Sequence, residues 1–175
     1  MTSPRRISFT GPESTGKTTL ARHLARRLDT FWTPEYARYY LRHLSRPYEQ
    51  EDLIPIVRGQ LHWEENMATF AKSWLFCDTD PLVVKVWSLY GYGACATEIA
   101  RLVETHRYAH YFVCDIDLPW TEDHLREHPD IEDRRRLLSM YIYELEKLQA
   151  PYTLLSGPME KRVEEVLKVL KYIRY

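Results

Sequence analysis

The sequence has few of the features that mark secreted, membrane-spanning or nucleic-acid-binding proteins. Its three cysteines, Cys77, Cys95 and Cys114, are scattered without a CxxC spacing, so they favour a reducing cytoplasm over a disulfide framework. No apolar run is long enough to cross a bilayer. The formal net charge is −1, which provides no overall field for nucleic acid or an anionic membrane. We therefore expect neither nucleic acid nor membrane as a partner.

The histidines also lack the framework of a zinc site. Two pairs, His106/His110 and His124/His128, have the i, i+4 spacing of a helix face, but no carboxylate or cysteine pattern accompanies them. The chain has 175 residues, of which 45% are apolar and 28% charged, which is typical of one globular domain. We predict a single domain over residues 1–175; the oligomeric state does not follow from the sequence.

Short apolar segments alternate along the chain with segments of helical periodicity. The apolar segments predict strands, and they lie at residues 5–10, 30–33, 74–77, 111–114 and 152–155. Helical spacing covers residues 17–28, 34–44, 52–72, 80–89, 97–104 and 131–148, and begins again near residue 158. Strands that alternate with helices indicate a parallel sheet covered on both faces. We predict an α/β fold with a doubly wound five-stranded parallel sheet, the first strand central and the third beside it.

The segment GPESTGKT, Gly11 to Thr18, fits the phosphate-binding pattern GxxxxGK[ST] between a predicted strand and a predicted helix. Gly11 and Gly16 allow the backbone to curl around an anion. Lys17 should reach the β- and γ-phosphates, and the Thr18 hydroxyl should bind Mg²⁺. The motif therefore predicts ATP and Mg²⁺ as cofactors. The residues predicted to contact the nucleotide in this loop are Gly11, Glu13, Ser14, Thr15, Gly16, Lys17, Thr18 and Thr19.

Carboxylates follow two of the predicted strands, at the sheet edge where ligands bind in open α/β folds. Asp78 ends the apolar run WLFC and could hold Mg²⁺ directly or through water. Asp80 could contact substrate, or it could cap the helix that begins at Pro81. Glu35 could accept the proton of an acceptor hydroxyl or orient it, or it could be a first-turn acid favoured by the helix dipole. Arg38, one turn later, could pair with Glu35, contact a phosphate or lie on the surface.

The arginine-bearing segment after the fourth predicted strand, residues 118–136, lies where small kinases carry a lid. Such a lid excludes water and places arginines on the phosphates. We predict a catalytic role for Arg126 and nucleotide binding for Arg134. The alternative is a solvated helix face, in which Asp123 and Arg126 form an i, i+3 pair.

Aromatic residues are abundant, with 13 tyrosines and 5 tryptophans. Six of them lie near the predicted acceptor pocket: Trp32, Tyr36, Tyr40, Trp63, Trp87 and Tyr90. Aromatic faces with nearby carboxylates suit a flat, positively charged ring, so a pyridinium nucleoside fits, but a neutral nucleobase fits as well. From these residues alone, the interpretation is a kinase with a planar acceptor, and an ATP-binding switch module stays open as an alternative.

Four motifs in their order and spacing resemble the ribosylnicotinamide kinase domain of the NadR family and its stand-alone relatives. They are GPESTGKTTLA, PEYAR, DTDPLVVKVW and DIDLPWTEDHLR, and the resemblance runs from Ile7 to about Arg162. It implies a P-loop fold of the nucleoside- and nucleotide-kinase type and ATP-dependent phosphorylation of nicotinamide riboside to nicotinamide mononucleotide, a step of NAD salvage. A kinase for another nucleoside or small hydroxyl acceptor is the alternative within enzymes. The chain contains no HxGH adenylyltransferase motif, so the resemblance implies neither NAD synthesis nor repression.

The resemblance also implies roles for residues at matching positions. The catalytic set is Lys17, Glu35, Asp78 and Arg126, and the metal set is Thr18 and Asp78. The substrate-binding set is Glu35, Tyr36, Arg38, Asp80, Trp87, Trp120 and Asp123. The resemblance implies Glu35 and, through the lid motif, Trp120 and Asp123, whereas Tyr36, Arg38, Asp80 and Trp87 are candidates from their place in the predicted site. The chain departs from the family pattern at Val83 and Val84, where threonines are common, and at His124, where glycine is common. Gly157 and Arg162 are candidates for the adenine side.

Overall fold

Five parallel strands form one sheet in the computed structural model, which describes residues 3–173. The strands are β1 (Arg5–Thr10), β2 (Phe31–Thr33), β3 (Trp74–Asp78), β4 (His110–Cys114) and β5 (Tyr152–Leu155). Their order is β2-β3-β1-β4-β5, and every neighbouring pair is parallel. The predicted α/β sheet is confirmed, with β1 central and β3 beside it. This order brings the carboxyl ends of β1, β3 and β4 together at one edge of the sheet.

Seven helices cover the sheet: α1 (Lys17–Arg27), α2 (Tyr36–His43), α3 (Leu53–Ala68), α4 (Pro81–Tyr92), α5 (Thr97–Thr105), α6 (Ile131–Lys147) and α7 (Met159–Ile173). One apolar core lies between α1, α7 and one face of the sheet, and a second lies between α4, α5, α6 and the opposite face. Alternate residues of β3 serve the two cores, because Phe76 belongs to the first and Leu75 to the second. A third cluster joins α3 to α4 and α5. The sheet is therefore doubly wound, as its alternating pattern predicts.

Two helices begin later than their patterns suggest. α2 begins at Tyr36 because Glu35 has an extended backbone, with φ −67° and ψ 108°, and the Tyr36 N–H is bound by the side chain of Gln60 at 2.8 Å. α3 begins at Leu53 after a single 3-10 turn, Gln50–Asp52, and ends at Ala68, four residues before its predicted end. Glu35 therefore lies just outside its helix.

The helices within residues 3–173 include none with the length and apolar character needed to cross a membrane.

Candidate active site

The phosphate loop between β1 and α1 is closely packed and depends on its glycines. Gly11 has a φ of +118°, and a Cβ atom there would lie 2.9 Å from the carbonyl oxygen of Cys114. Gly16 caps α1 in a left-handed conformation without a side chain, so no side chain caps the first N–H groups of α1. Lys17 Nζ donates to the carbonyls of Gly11 at 2.8 Å and Pro12 at 2.6 Å. The loop curls around this ammonium group and the helix N terminus, an arrangement that fits a phosphate anion.

Asp78 and Thr18 meet beside this loop. The Thr18 hydroxyl donates to Asp78 Oδ2 at 2.6 Å, while the second carboxylate oxygen, Oδ1, is buried without a hydrogen-bond partner in the described part of the chain. Burial, together with the nearby charge of Glu35, raises the pKa of Asp78 to about 7, although the Thr18 hydrogen bond and the charge of Lys17 oppose the rise. A hydroxyl beside an unpartnered carboxylate oxygen is a fitting pair of oxygen ligands for Mg²⁺.

Histidine, cysteine and acidic side chains of residues 3–173 form no group of three that could hold a metal ion. This agrees with the coordination of Mg²⁺ in phosphoryl-transfer sites, where one or two protein groups suffice because the substrate phosphates and water complete the shell.

Asp80 occupies the N-cap of α4. Its Oδ1 accepts from the N–H groups of Leu82 at 2.6 Å and Val83 at 3.2 Å, and its Oδ2 accepts from the Ser8 hydroxyl. Burial raises the pKa of Asp80 to about 6, although these hydrogen bonds oppose the rise. Both carboxylate oxygens of Asp80 therefore accept hydrogen bonds from the protein, as expected for a residue that caps α4. Asp80 also does not line the cavity described below.

Glu35 and Asp123 are joined by Arg38. Arg38 Nε donates to Glu35 Oε2 at 3.1 Å, and its Nη1 donates to Asp123 Oδ2 at 2.9 Å. The N–H of Leu125 and the guanidinium of Arg38 hold the pKa of Asp123 below its usual range. Arg38 thus ties the start of α2 to the segment that follows β4.

Residues 117–130, between β4 and α6, cross over the phosphate loop and form the segment that we call the lid. The N–H of Thr121 donates to Ser14 Oγ at 2.9 Å, and the N–H of Glu127 donates to the carboxylate of Glu13 at 3.0 Å. The predicted lid extends to residue 136, but residues 131–136 already belong to α6. The lid therefore contacts the phosphate loop directly.

The two predicted lid arginines flank the ring of Trp120. The guanidinium carbons of Arg126 and Arg134 lie 5.9 Å and 5.5 Å from its centroid. Arg134 lies in α6 and is only 3% exposed, with its guanidinium 3.5 Å from the carbonyls of Glu13 and Ser14. Burial and the nearby Arg126 lower the pKa of Arg134. Of three consecutive arginines, this one faces the phosphate loop rather than solvent.

A cavity of about 360 Å³ extends from the phosphate loop between α2, α4, the lid and α6. Predicted residues that line it are Glu35, Arg38, Trp87, Tyr90, Arg126 and the phosphate loop from Gly11 to Thr19. Other predicted residues are not in its wall: Trp32, Tyr36, Tyr40, Trp63, Asp78, Asp80, Trp120, Asp123 and Arg134. Tyr36 instead packs edge-to-face on Trp63, with the ring centroids 4.8 Å apart. The sequence thus identifies the nucleotide end of the cavity better than its other end.

Sequence reasoning missed the loop between α2 and α3, which contributes Arg46 and Tyr48 to the cavity wall. This loop is held by Asp52, which accepts from Arg46 Nη1 at 2.7 Å, from Arg46 Nη2 at 2.9 Å and from the Tyr40 hydroxyl at 2.8 Å. The hydrogen bonds from Arg46 contribute most to a pKa of about 2 for Asp52. The sequence signal was a reciprocal cap, because Glu49 and Asp52 bind each other's backbone N–H groups.

Arg162, a candidate for the adenine side, is 2% exposed in α7. Its guanidinium donates to the carbonyls of Thr15 at 2.7 Å and Gly157 at 2.8 Å, and to the carboxylate of Asp117. Gly157, with a φ of +91°, donates its N–H to the same carboxylate. These contacts join α7 to the phosphate loop and to the first residue of the lid.

Comparison with known proteins supports the resemblance found in the motifs. A family model described as an AAA domain matches residues 6–162. The trifunctional NAD biosynthesis/regulator protein NadR of Escherichia coli (strain K12) is 25% identical over 147 residues, which is 82% of this chain and 36% of that protein. The chain therefore spans about a third of the length of this curated relative.

Three solved structures share the fold. The NadR protein in complex with NR has a TM-score of 0.78 and 20% identity, and the same protein with NAD and AMP-PNP has a TM-score of 0.75 and 21% identity; each match covers 98% of this chain and 50% of the other. Thymidylate kinase from Ehrlichia chaffeensis has a TM-score of 0.72 and 17% identity, over 97% of this chain and all of that one. The similarity to NadR is confirmed, and the neighbours confirm a P-loop fold of the nucleoside- and nucleotide-kinase type.

Proposed function

We propose that this chain, which belongs to the AAA domain family, is a single-domain P-loop kinase. In this proposal it phosphorylates nicotinamide riboside to nicotinamide mononucleotide with ATP. The observation that carries this proposal is the placement of Glu35, across one cavity from the phosphate loop and close enough to Asp78 to raise its pKa. A carboxylate can take a proton from water as well as from a hydroxyl, but a water nucleophile has no need of a cavity that extends beyond Glu35 to Trp87 and Tyr90. The similarity to NadR, which has been solved in complex with NR, supports nicotinamide riboside as the acceptor.

The proposed reaction divides between the two ends of the cavity. Lys17 and the loop N–H groups bind the β- and γ-phosphates, and Thr18 and Asp78 hold Mg²⁺. When bound, Mg²⁺ would neutralise charge on the phosphates. Glu35 orients the 5′-hydroxyl and takes its proton while the hydroxyl oxygen bonds to the terminal phosphorus and the bond from that phosphorus to the ADP oxygen breaks.

The lid excludes water from this reaction. Arg126 and Arg134 stabilise charge on the transferred phosphoryl group, and both guanidinium groups lie over the Trp120 ring. Arg38 and Asp123 position Glu35 and close the lid over the acceptor, and Trp87 contacts the acceptor ring. In this proposal Tyr36 positions α2 and Asp80 caps α4, so both act on the substrate indirectly. The substrate is a small molecule and ATP is the donor, so we propose the cytoplasm as the location.

An acceptor panel tests the proposal. Purified protein with Mg-ATP is incubated with nicotinamide riboside, uridine, thymidine or no acceptor, and ADP release is measured together with the phosphorylated product. We expect release only with nicotinamide riboside. Release only with another nucleoside would identify a different kinase, and release without any acceptor would favour an ATP-driven switch.

Two variants test the roles within the cavity. Lys17→Ala should lower turnover about 100-fold or more while the fold is retained, because the phosphates lose their cation.

Glu35→Gln should lower kcat by about 100-fold or more, with ATP affinity little changed, because only the acceptor loses its base. The control is Lys147→Ala, at the exposed end of α6. An unchanged rate in Glu35→Gln would move the acceptor role to Asp78.

A further inference from the structure

Three side chains in the cavity wall, from α4, the α2–α3 loop and the lid, form a directed chain of hydrogen bonds. Trp87 Nε1 donates to the Tyr48 hydroxyl at 3.0 Å, and this hydroxyl donates to Glu127 Oε2 at 2.7 Å. The two rings meet edge-to-face with their centroids 4.8 Å apart. All three residues line the cavity, although they come from α4, the α2–α3 loop and the lid. The lid carboxylate thereby fixes both aromatic rings in the cavity wall.

Glu127 is an exposed residue of the lid, next in sequence to Arg126, a cation that also lines the cavity. Among residues 3–173 its carboxylate forms no salt bridge. The two arginines of α2 and the following loop that line the cavity have carboxylates of their own, since Arg46 binds Asp52 and Arg38 binds Glu35 and Asp123. Within residues 3–173, Glu127 is therefore a cavity-lining carboxylate without a salt bridge, beside two electron-rich rings.

We propose that Glu127 is a specificity-determining residue that selects acceptors whose ring carries a positive charge; this proposal rests on the proposed kinase function. A cation is attracted both by the faces of aromatic rings and by a nearby carboxylate. A neutral nucleobase gains only stacking. Glu127 therefore distinguishes the pyridinium nucleoside from the neutral nucleoside, the two acceptors that the aromatic composition of the sequence leaves open.

The test uses two acceptors that differ in ring charge. Nicotinamide riboside carries a positive pyridinium ring, whereas its dihydro form has the same ribose and carboxamide on a neutral ring. Glu127→Gln removes the charge but keeps an oxygen that accepts from Tyr48. We expect the ratio of kcat/KM for the cationic over the neutral acceptor to fall by about 5- to 30-fold in this variant. Glu122→Gln, an exposed carboxylate of the same lid that does not line the cavity, should leave the ratio within about twofold.

Binding of the same two nucleosides by titration calorimetry separates this proposal from the kinase function. If the wild-type protein prefers the cation in binding, Glu127→Gln loses this preference, and the wild-type protein transfers no phosphate, then charge selection by Glu127 stands and the kinase function fails. If the wild-type protein turns over nicotinamide riboside and Glu127→Gln changes both acceptors equally or neither, selection by Glu127 is overturned while the kinase stands. Binding of neither nucleoside would overturn both.

Discussion

Asp78 and Asp80 lie two residues apart, yet their side chains have opposite environments. Asp80 has both oxygens engaged by Ser8 and by the N terminus of α4, whereas Asp78 keeps one buried oxygen without a partner in the described chain. A buried polar atom without a hydrogen bond costs about 1–3 kcal/mol. This free-energy cost is removed when a ligand supplies the missing partner. The contrast therefore indicates that Asp78, rather than Asp80, binds a ligand.

His110, at the start of β4, makes the fold sensitive to acid. Its ring is buried, with Nε2 2.9 Å from the Thr153 hydroxyl, and burial lowers its pKa from 6.5 to about 4. The unfolded chain therefore binds this proton first, so stability present above pH 6.5 is lost as the pH falls through 4. Between about pH 7 and pH 5, His110→Gln should lose about 1–3 kcal/mol less unfolding free energy than the wild type. Urea denaturation at both pH values measures this; equal losses would assign the acid sensitivity to other groups.

Sequence patterns identify single residues only where the chemistry is local. The phosphate loop is contiguous, so its glycines, Lys17 and Thr18 follow from one motif. Tyr48 and Glu127 are separated by 79 residues and lie in segments without periodicity, so nothing in the sequence predicts that they meet. Asp80 illustrates a third case, because the sequence agrees both with substrate contact and with capping of α4. Only the position of Ser8 beside Asp80 distinguishes these two roles.

At the scale of elements, α2 carries Arg38 and follows directly on Glu35, but it has no buried residue of its own. Its position depends on Tyr36, whose N–H is bound by Gln60 and whose ring packs on Trp63. The sequence predicts the existence of α2 from its pattern, but it assigns Tyr36 to the acceptor pocket. The structure uses this ring instead to attach α2 to α3, which keeps Glu35 at the wall of the cavity.

Gly59 in α3 provides the space for this contact. A Cβ atom there would lie 2.0 Å from the Tyr36 ring, whereas a Cβ atom on Gly91 in α4 would have no neighbour within 4 Å. Gly59→Ala should lower the unfolding free energy by about 1–3 kcal/mol and reduce kcat, because α2 must shift. Gly91→Ala is the matched control and should be stabilising by about 0.5–1 kcal/mol from helix propensity alone. Urea denaturation and turnover of both variants test this prediction. A Gly59→Ala protein as stable and active as Gly91→Ala would contradict the role of Gly59 in making space for the Tyr36 ring.

At the scale of the whole molecule, the sheet order places the site. β1 is flanked by β3 and β4, so the phosphate loop after β1 receives Asp78 from one neighbour and the lid from the other. Alternation of strands and helices predicts this arrangement, because parallel crossovers leave few topologies. Contacts made by α7 are less predictable from the sequence. Its apolar residues at helical spacing, such as Val163, Val166 and Leu170, indicate only that α7 packs on the sheet. Arg162 interrupts this apolar pattern and reaches the phosphate loop, which connects the last helix to the nucleotide end of the cavity.

Arg162 joins three regions that are distant in sequence: the phosphate loop at Thr15, the start of the lid at Asp117 and the turn after β5 at Gly157. Arg162→Met should lower the unfolding free energy by about 1–3 kcal/mol, because it removes the hydrogen bonds to the Thr15 and Gly157 carbonyls and the ion pair with Asp117. It should also raise the KM for ATP more than the KM for the acceptor, because Thr15 belongs to the phosphate loop. Arg162→Lys should recover part of both losses, and Lys168→Met, on the exposed face of the same helix, should stay within about 0.5 kcal/mol. A folded Arg162→Met protein with an unchanged KM for ATP would mean that the phosphate loop keeps its shape without α7.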